Sequence, residues 1–334
     1  MSPVFKNVGH DSGKIISGNN KNGKIYPGGT REKACPLARG TVRLIMVHAG
    51  EIAWRPLSRT VQRLTNRLRT AKGRAKTGLF VFEGFRLFEA ALAAGCVPET
   101  VVVRNDPETR QRLHLLLGKY HVGKTAIYLA TPREIQELAD TTESPGILAV
   151  ARQMPPMPVD RTIAGKRLLV VDNVRDPGNL GAILRSAAAF AVDGVYLSRG
   201  TVDLYNAKVV RSSMGAVFVL PIGRTADHKM LGQELRRRRF TIFVGDPHEG
   251  RTPDQVSLPV HCALVIGGET EGISEIWRKI GAQPLRIPTA PTIESLNSAV
   301  AAGILLYQLF GSKPPQTKGM TSGRAGQRAR EGRR

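Results

Sequence analysis

The sequence predicts two α/β domains in one chain, the second built on a mostly parallel sheet. Three observations lead to this fold class. Short apolar runs typical of buried strands alternate with stretches whose apolar residues recur at helical spacing. The alternation occurs twice, before and after the segment Met154-Pro-Pro-Met-Pro158, which can continue neither a helix nor an inner strand. A chain of 334 residues is also long enough for two domains with separate cores.

The predicted first domain begins with a basic segment. Between Arg55 and Lys76 the sequence has several basic residues and no acidic one. An apolar stripe at helical spacing consists of Val61, Leu64 and Leu68 and predicts a helix with one side on a core. Beside the stripe, four arginines recur at intervals of four: Arg55, Arg59, Arg63 and Arg67. This cationic side is suited to neutralising RNA phosphates, with a merely solvated charged face as the alternative.

Strands and helices then alternate through the rest of this domain, which we place at residues 55–153. The predicted strands are 79–83, 99–104, 126–129 and 147–152. The predicted helices are 84–94, 107–118 and 132–139. A Pro-rich linker is expected at residues 154–164.

The second domain is expected at residues 165–312. Its predicted strands are 168–172, 194–198, 217–220, 240–245, 262–267 and 285–287. Its predicted helices are 179–190, 206–214, 227–238, 274–280 and 296–310. Alternation of this kind is typical of a mostly parallel sheet.

Both ends of the chain have the composition of poorly ordered segments. Residues 1–54 are rich in Gly, Asn and Lys, and we expect a disordered or loosely attached extension. A transit peptide, or a true start at Met46, are the alternatives. Residues 313–334 predict a basic disordered tail.

The composition favours a polyanionic partner. The formal net charge is +22, from 49 Lys and Arg against 27 Asp and Glu. Nucleic acid is the first candidate and an anionic membrane surface the second, although no apolar run approaches the roughly 20 residues of a spanning helix. The three cysteines form no CxxC pair, which argues against a zinc site or disulfide framework. We therefore expect a reducing compartment, the cytoplasm or, with a transit peptide, an organelle, and no metal.

Three loops of the second domain break the apolar pattern where a predicted strand ends. They are Asp176-Pro-Gly-Asn-Leu-Gly-Ala-Ile-Leu-Arg185, Gly267-Gly-Glu-Thr-Glu-Gly272, and the stretch from Ile287 to Asn297. Turn formation and helix capping are the ordinary explanations for each loop taken alone. Parallel strands, however, bring such loops to one edge of a sheet, where open α/β folds bind ligands.

A fourth motif matches a nucleotide-binding pattern in its residues but not in its predicted structural context. Gly118-Lys-Tyr-His-Val-Gly-Lys-Thr125 satisfies the nucleotide-binding pattern GxxxxGK[ST]. A phosphate-binding loop follows a strand and opens a helix, whereas here a predicted helix precedes the motif and a strand follows it. Nucleotide hydrolysis is therefore the weakest of the functions considered.

The three loops closely resemble, in order and spacing, the three motifs of the SpoU/TrmH family of RNA ribose 2′-O-methyltransferases in the SPOUT superfamily. The similarity is strong over residues 165–312. It extends more weakly over 57–152, where Phe82-Glu-Gly84 and Glu143-Ser-Pro-Gly-Ile-Leu-Ala149 resemble a ribosomal-protein-like RNA-binding domain.

The resemblance implies a deep trefoil knot, S-adenosyl-L-methionine as cofactor, and a homodimer whose active site draws on both subunits. It implies a polar catalytic set consisting of Asn179, Arg185, Glu269, Ser295 and Asn297. It further implies a cofactor cradle made by Gly267, Ile287 and Leu296.

The expected activity is methylation of a ribose 2′-hydroxyl in RNA, with ribosomal RNA as the expected substrate. Because an arginine stays charged, we expect Arg185 to bind an RNA phosphate or stabilise the developing alkoxide, and its role as proton acceptor stays open. The alternatives are a tRNA 2′-O-methyltransferase and a non-catalytic RNA-binding or ribosome-assembly protein with the same fold.

Overall fold

The structure, a computed structural model, describes residues 52–158 and 165–311. The predicted terminal extension up to residue 51, residues 159–164 of the predicted linker, and the predicted basic tail lie outside the described residues. Within the described ranges the alternation of strands and helices is as predicted, apart from the corrections given below.

The first part of the chain folds around a mixed five-stranded sheet. Its strands are Trp54–Pro56 (β1), Leu79–Glu83 (β2), Thr100–Arg104 (β3), Ala126–Ala130 (β4) and Ile147–Arg152 (β5). Its helices are Arg59–Leu68 (α1), Ala71–Thr77 (α2), Phe85–Ala93 (α3), Pro107–Lys119 (α4) and Pro132–Leu138 (α5). The strand order is β1-β4-β3-β5-β2, and β5 runs antiparallel to both of its neighbours.

The second part folds around a six-stranded sheet that is parallel throughout. Its strands are Arg167–Asp172 (β6), Gly194–Ser198 (β7), Ile222–Thr225 (β8), Thr241–Gly245 (β9), Cys262–Gly267 (β10) and Gln283–Leu285 (β11). Its helices are Pro177–Ala189 (α6), Ala207–Ser212 (α7), Ala216–Val219 (α8), His228–Arg237 (α9), Glu275–Lys279 (α10) and Ser298–Phe310 (α11). The strand order is β11-β9-β10-β6-β7-β8. The predicted mostly parallel sheet is confirmed, while the trefoil knot stays a prediction.

The basic segment is not one helix, as predicted, but strand β1 followed by two helices. The hydroxyl of Ser58 accepts from the N–H of Val61 and caps α1, and the hydroxyl of Thr70 accepts from the N–H of Gly73 and caps α2. The turn between the helices is tight, because a Cβ on Gly73 would lie 1.9 Å from the carbonyl oxygen of Arg67. The apolar stripe ends with α1 at Leu68, while the basic residues continue through α2, so the charge pattern conceals a break that the two capping hydroxyls signal.

A second correction concerns residues 217–220, predicted as a strand. They belong mostly to the short helix α8, and the strand that follows, β8, was missed. Gly215, with φ +96°, is the N-cap residue of this helix. Its Phe218 packs edge-on against the Phe82 ring of the first sheet at 5.2 Å between centroids. Because this short helix is buried against the first sheet, its residues are apolar throughout. The same apolar run is also typical of a buried strand. A smaller error is the last strand, predicted at 285–287 and found at 283–285.

The two sheets share one apolar core and a buried ion pair. The ring of Phe80 lies 4.6 Å from that of Tyr205, across the boundary between the two parts. Beside these rings, the Arg74 guanidinium binds the Asp203 carboxylate at 2.5 Å, and its side chain is only 5% exposed. The same guanidinium donates to the carbonyl oxygens of Leu68 and Arg69. Arg74 therefore ties the end of α1 to the second part of the chain.

We expect Arg74→Met to lower the free energy of unfolding by about 3 kcal/mol, because it leaves two carbonyl oxygens and Oδ2 of Asp203 without the Arg74 guanidinium, while Arg224 binds only Oδ1. Urea unfolding followed by circular dichroism measures the change. Lys72→Met on the exposed side of α2 is the matched control. Equal unfolding midpoints for both variants would contradict a stabilising role of Arg74.

Candidate active site

The three polar loops meet at one edge of the parallel sheet, as the sequence predicts. Strand β10 lies between β6 and β9, and its last residue, Gly267, is aligned with Asp172 at the end of β6. The loops that leave these strands therefore begin side by side. The third loop, residues 286–297, follows β11 and leads into α11.

The loop after β10 is folded tightly on itself. Gly268 and Gly272 form an isolated antiparallel bridge, and the N–H of Gly272 donates to the carbonyl oxygen of Gly268 at 3.1 Å. A Cβ on Gly267 would lie 2.3 Å from the carbonyl carbon of Gly272. A Cβ on Gly268 would lie 2.3 Å from the carbonyl oxygen of Asn173 in the first loop. The paired glycines are needed for this close approach of two backbones.

A buried carboxylate holds the far end of the same loop. Asp172 is 0% exposed, and its Oδ2 accepts from the N–H of Ser274 at 2.8 Å and from the indole Nε1 of Trp277 at 3.1 Å. The imidazole Nε2 of His228 lies 3.3 Å from Oδ1. Asp172 was not among the predicted site residues, although an acidic residue at the end of an otherwise apolar strand was a usable signal.

Side chains from all three loops form one hydrogen-bonded cluster. The Asn179 amide nitrogen donates to the Glu269 carboxylate, and the Asn297 amide nitrogen donates to Asn179 Oδ1 at 3.1 Å. The Ser298 hydroxyl donates to the same Glu269 oxygen at 2.6 Å. Three of the five predicted catalytic residues are therefore in contact, and Ser298 is an additional member that the sequence analysis missed. Its position as the first residue of α11, directly after Asn297, was the available signal.

Asn297 serves at the same time as the N-cap of α11. Its Oδ1 accepts from the N–H of Ala299 at 3.0 Å and from that of Val300 at 3.3 Å. The capping explanation and the placement in the cluster are both correct for this residue, because the amide oxygen and the amide nitrogen have separate partners.

Arg185 lies away from this cluster in the single chain. It is exposed on α6, six residues beyond Asn179 and therefore roughly 9 Å further along the helix axis. Within residues 52–158 and 165–311 it pairs with no carboxylate.

A cavity of about 500 Å³ lies between the second and third loops and the segment after β9. Its wall includes the three predicted cradle residues, Gly267, Ile287 and Leu296, and the predicted catalytic residue Ser295. Cavities that bind small molecules have volumes in this range, with mostly apolar walls and few polar groups. The residues present therefore fit a cofactor of the size expected from the sequence.

The cavity also has a charged wall that the sequence analysis missed. Asp246, directly after β9, binds the Arg278 guanidinium at 2.5 Å and accepts from the N–H of His248 at 2.9 Å. Burial raises the pKa of Asp246, but the His248 N–H and Arg278 outweigh this effect and hold the pKa below its ordinary value. A carboxylate stays ionised at the cavity wall, and its position at a strand end was the signal.

The four predicted RNA-binding arginines lie in the first part of the chain. Arg55 belongs to β1, whereas Arg59, Arg63 and Arg67 follow one another along the exposed side of α1. In the described part of the chain none of the four pairs with a carboxylate. The apolar stripe is on the other side, with Val61 and Leu68 buried.

The nucleotide-binding pattern lies in the structural context that the sequence predicts. The motif Gly118–Thr125 spans the end of α4 and the loop before β4, so the predicted order of helix, loop and strand is correct. The described ranges contain no group of three or more His, Cys, Asp or Glu side chains that could hold a metal ion. Nor is any helix among these residues long and apolar enough to cross a bilayer.

Comparison with known proteins gives matches along both parts of the chain. Residues 166–307 match the SpoU rRNA Methylase family, and residues 59–149 match the MRM3-like substrate binding domain. The chain is 30% identical over 245 residues to the Bacillus subtilis 23S rRNA (guanosine(2553)-2′-O)-methyltransferase RlmP, covering 73% of this chain and 94% of that protein. It is 32% identical over 299 residues to the Danio rerio rRNA methyltransferase 3A, mitochondrial, covering 74% of this chain and 67% of that protein.

Among solved structures, the fold is similar to that of the SpoU methyltransferase AviRb from Streptomyces viridochromogenes in complex with the cofactor AdoMet. The TM-score is 0.68 at 27% sequence identity, covering 76% of this chain and 98% of that one. Fold, three-loop site and sequence similarity agree, and the chain belongs to the SpoU rRNA methylase family.

Proposed function

We propose that this protein transfers a methyl group from S-adenosyl-L-methionine to a ribose 2′-hydroxyl in ribosomal RNA. One observation carries the proposal: in the hydrogen-bonded cluster of Asn179, Glu269 and Asn297, the last two residues also line the cavity. Support for ribosomal RNA comes from the names of the relatives and from the match of residues 59–149 to a substrate binding domain. The compactness of the loops and the polar cluster together favour an enzyme over a non-catalytic RNA-binding protein.

The cofactor would be held by loop backbone and a few apolar side chains. Gly267 brings its backbone to the cavity wall without a side chain, and Ile287 and Leu296 supply apolar contact. When bound, S-adenosyl-L-methionine supplies an activated methyl group on a sulfonium centre. The protein's own contribution to such an in-line displacement is mainly to position the two reactants.

The polar cluster would position the ribose and the loops around it. The Glu269 carboxylate accepts from both Asn179 and Ser298, so its orientation is fixed from two sides. A 2′-hydroxyl is a weak nucleophile, and loss of its proton creates negative charge on oxygen. An arginine side chain near that oxygen stabilises the charge, and we assign this role to Arg185.

We further propose a homodimer in which Arg185 acts at the partner's cluster. An apolar stripe runs along the outer side of α11, with Val300 51% and Tyr307 56% exposed. Helix α6 packs beside α11, and its Ser186 hydroxyl lies 3.7 Å from where a Cβ on Gly303 would be. Arg185, the neighbour of Ser186 in sequence, therefore lies close to the exposed apolar side of α11. Two-fold symmetric dimers commonly bury surfaces of this kind.

The cationic side of the first part would bind RNA away from the reacting ribose. Arg59, Arg63 and Arg67 are exposed and without carboxylate partners in the described ranges, so their charge is available to phosphates. We also infer a reducing compartment. Cys96 and Cys262 are buried free cysteines, and burial raises the pKa of their thiols to about 11 and about 12.

The methyl-transfer reaction is tested with labelled S-adenosyl-L-methionine and unmodified rRNA and tRNA transcripts offered separately. We expect label in rRNA at an alkali-resistant ribose, and a loss of about a hundredfold or more in kcat for Arg185→Ala. RNA affinity of the variant, measured by filter binding, controls for a simple binding defect. Label in tRNA alone would overturn the substrate, and no label in either RNA would overturn the reaction.

The shared active site is tested by mixing two inactive variants, Arg185→Ala and Asn297→Ala. If Arg185 acts on the partner's cluster, every heterodimer contains one intact site, and a random mixture recovers about a quarter of wild-type activity. If Arg185 acts on its own subunit's cluster, the mixture stays inactive. Light scattering of each variant establishes that both remain dimeric before mixing.

The glycine wall is tested by Gly267→Ala. The added methyl group would lie 2.3 Å from the Gly272 carbonyl carbon, so the loop must shift, and we expect the affinity for S-adenosyl-L-methionine to fall by about tenfold or more. Isothermal titration calorimetry measures it. Gly118→Ala is the control, because nothing lies within 4 Å of its added Cβ. Unchanged affinity in Gly267→Ala would place the cofactor elsewhere.

A further inference from the structure

A group of basic residues lies at the edge of the parallel sheet opposite the candidate active site. We call it the basic edge; it consists of Lys166, Arg167, Arg236, Arg237 and Arg239. Arg167 is aligned with Cys262 of the central strand β10, and Cys262 is aligned with Thr241, the first residue of β9. Arg239 and Lys166 thus flank β10 at the amino ends of the strands, roughly 10 Å apart across two strand spacings. The length of β6 puts this edge roughly 17 Å from the active-site loops.

Three of the five side chains of the basic edge have no carboxylate partner within the described ranges, whereas Arg237 is paired with Glu234. Arg236, Arg239 and Lys166 are exposed, and none of the three side chains pairs with a carboxylate there. The nearby acids have other partners. Glu234 binds the guanidinium groups of Arg237 and Arg238. The carboxylate of Asp193 accepts from the backbone N–H groups of residues 166 and 167.

The backbone at Arg239 is strained in a way that favours glycine. Arg239 follows the last turn of α9 with φ +62°, and its N–H donates to the carbonyl of Arg236 at 2.8 Å. Ala191 follows α6 in the same geometry, with φ +53° and an N–H bond to Ala188 at 3.2 Å. Glycine is the preferred residue at this position of a helix end, because other residues are destabilised in the left-handed region. An arginine at position 239 therefore reduces stability and keeps a cation at this edge.

The chain also leaves the second part at this edge. The Arg167 guanidinium donates to the carbonyl oxygen of Phe310 at 3.4 Å and lies 5.7 Å from the centroid of its ring. Phe310 is the last residue of α11, and the sequence that follows, residues 313–334, contains only one acidic residue, Glu331, among its Lys and Arg residues. The last helix thus ends beside Arg167 of the basic edge, and the sequence after it is basic.

We propose that the basic edge is a second RNA-binding surface, which binds phosphates of the substrate RNA remote from the reacting ribose. This inference rests on the proposed function for the identity of the RNA. Four of the five members are arginines, whose planar guanidinium groups bind phosphate with two parallel hydrogen bonds. An anionic membrane is the competing partner, since Leu258 and Val260 are exposed in the loop before β10. RNA is favoured because the opposite edge of the same sheet carries an RNA-modifying site.

The experiment compares Arg239→Gly with Ala191→Gly. Both substitutions relieve a left-handed backbone at the end of a helix, so both are expected to raise the Tm by a few degrees. Only Arg239→Gly removes a cation. Filter binding to a short RNA duplex and to an unmodified 23S rRNA transcript, at several salt concentrations, measures affinity. Co-sedimentation with phosphatidylserine–phosphatidylcholine vesicles measures membrane binding.

We expect Arg239→Gly to bind RNA roughly three- to tenfold more weakly at low salt, with the slope of log affinity against log salt reduced by about one. Its KM for the transcript should rise with kcat unchanged, whereas Ala191→Gly should match the wild type. RNA affinities and salt slopes that are equal in the two variants would overturn the inference. So would a loss of vesicle binding in Arg239→Gly without a loss of RNA binding.

These measurements distinguish a failure of the second RNA-binding surface from a failure of the proposed methyl-transfer reaction. If the wild type transfers no methyl group to any RNA while Arg239→Gly still shows the weaker RNA binding, the second RNA surface stands and the reaction does not. If methyl transfer is normal and the two glycine variants bind RNA equally, the reaction stands and the second surface does not.

Discussion

The carboxylate of Asp172 is the interaction on which the geometry of the site depends. A fully buried carboxylate is costly unless donors surround it, and both of its Oδ2 donors come from the segment that closes the loop after β10. The backbone N–H of Ser274 and the indole of Trp277 are thereby fixed to the end of β6. Because Gly268 sits against the carbonyl of Asn173, the first and second loops are joined at two points. Glu269 lies between these points, so the backbone contacts place the residue, and Asn179 and Ser298 then orient its carboxylate.

The parallel sheet separates two tasks between its two edges. All of its strands run in the same direction, so the polar loops lie together at the carboxyl ends of the strands. The amino ends of the strands lie at the opposite edge. The carboxyl edge has the cavity and the acids Glu269 and Asp246. The amino edge has Arg236 and Arg239 without acidic partners in the described ranges. A candidate active site at one edge and unpaired arginines at the other are suited to a long polyanion that is bound at more than one point.

The sequence predicts local structure well and tertiary partners poorly in this chain. The strands at residues 147–152, 194–198 and 262–267 have the predicted bounds, because each is an apolar run with breakers on both sides. The error at residues 217–220 has a physical cause, since Phe218 is buried against Phe82 and its neighbours are apolar in a helix as they would be in a strand. The three loops were found because each breaks the apolar pattern where a predicted strand ends and because, in order and spacing, they resemble the motifs of one family. The Asp172 anchor and the Asp246–Arg278 pair were missed, since their donors lie far along the chain and no spacing rule connects them.

Asn297 shows why an amide, rather than a carboxylate, suits the start of α11. An aspartate would cap the helix equally well, because both side chains present an oxygen to the first N–H groups. The neighbouring cluster, however, already contains the Glu269 carboxylate, and a second negative charge nearby would raise the energy of both. The amide caps with its oxygen and donates with its nitrogen to Asn179, which in turn donates to Glu269. The helix end and the polar cluster are therefore stabilised by one side chain, and the residue type follows from the acid beside it.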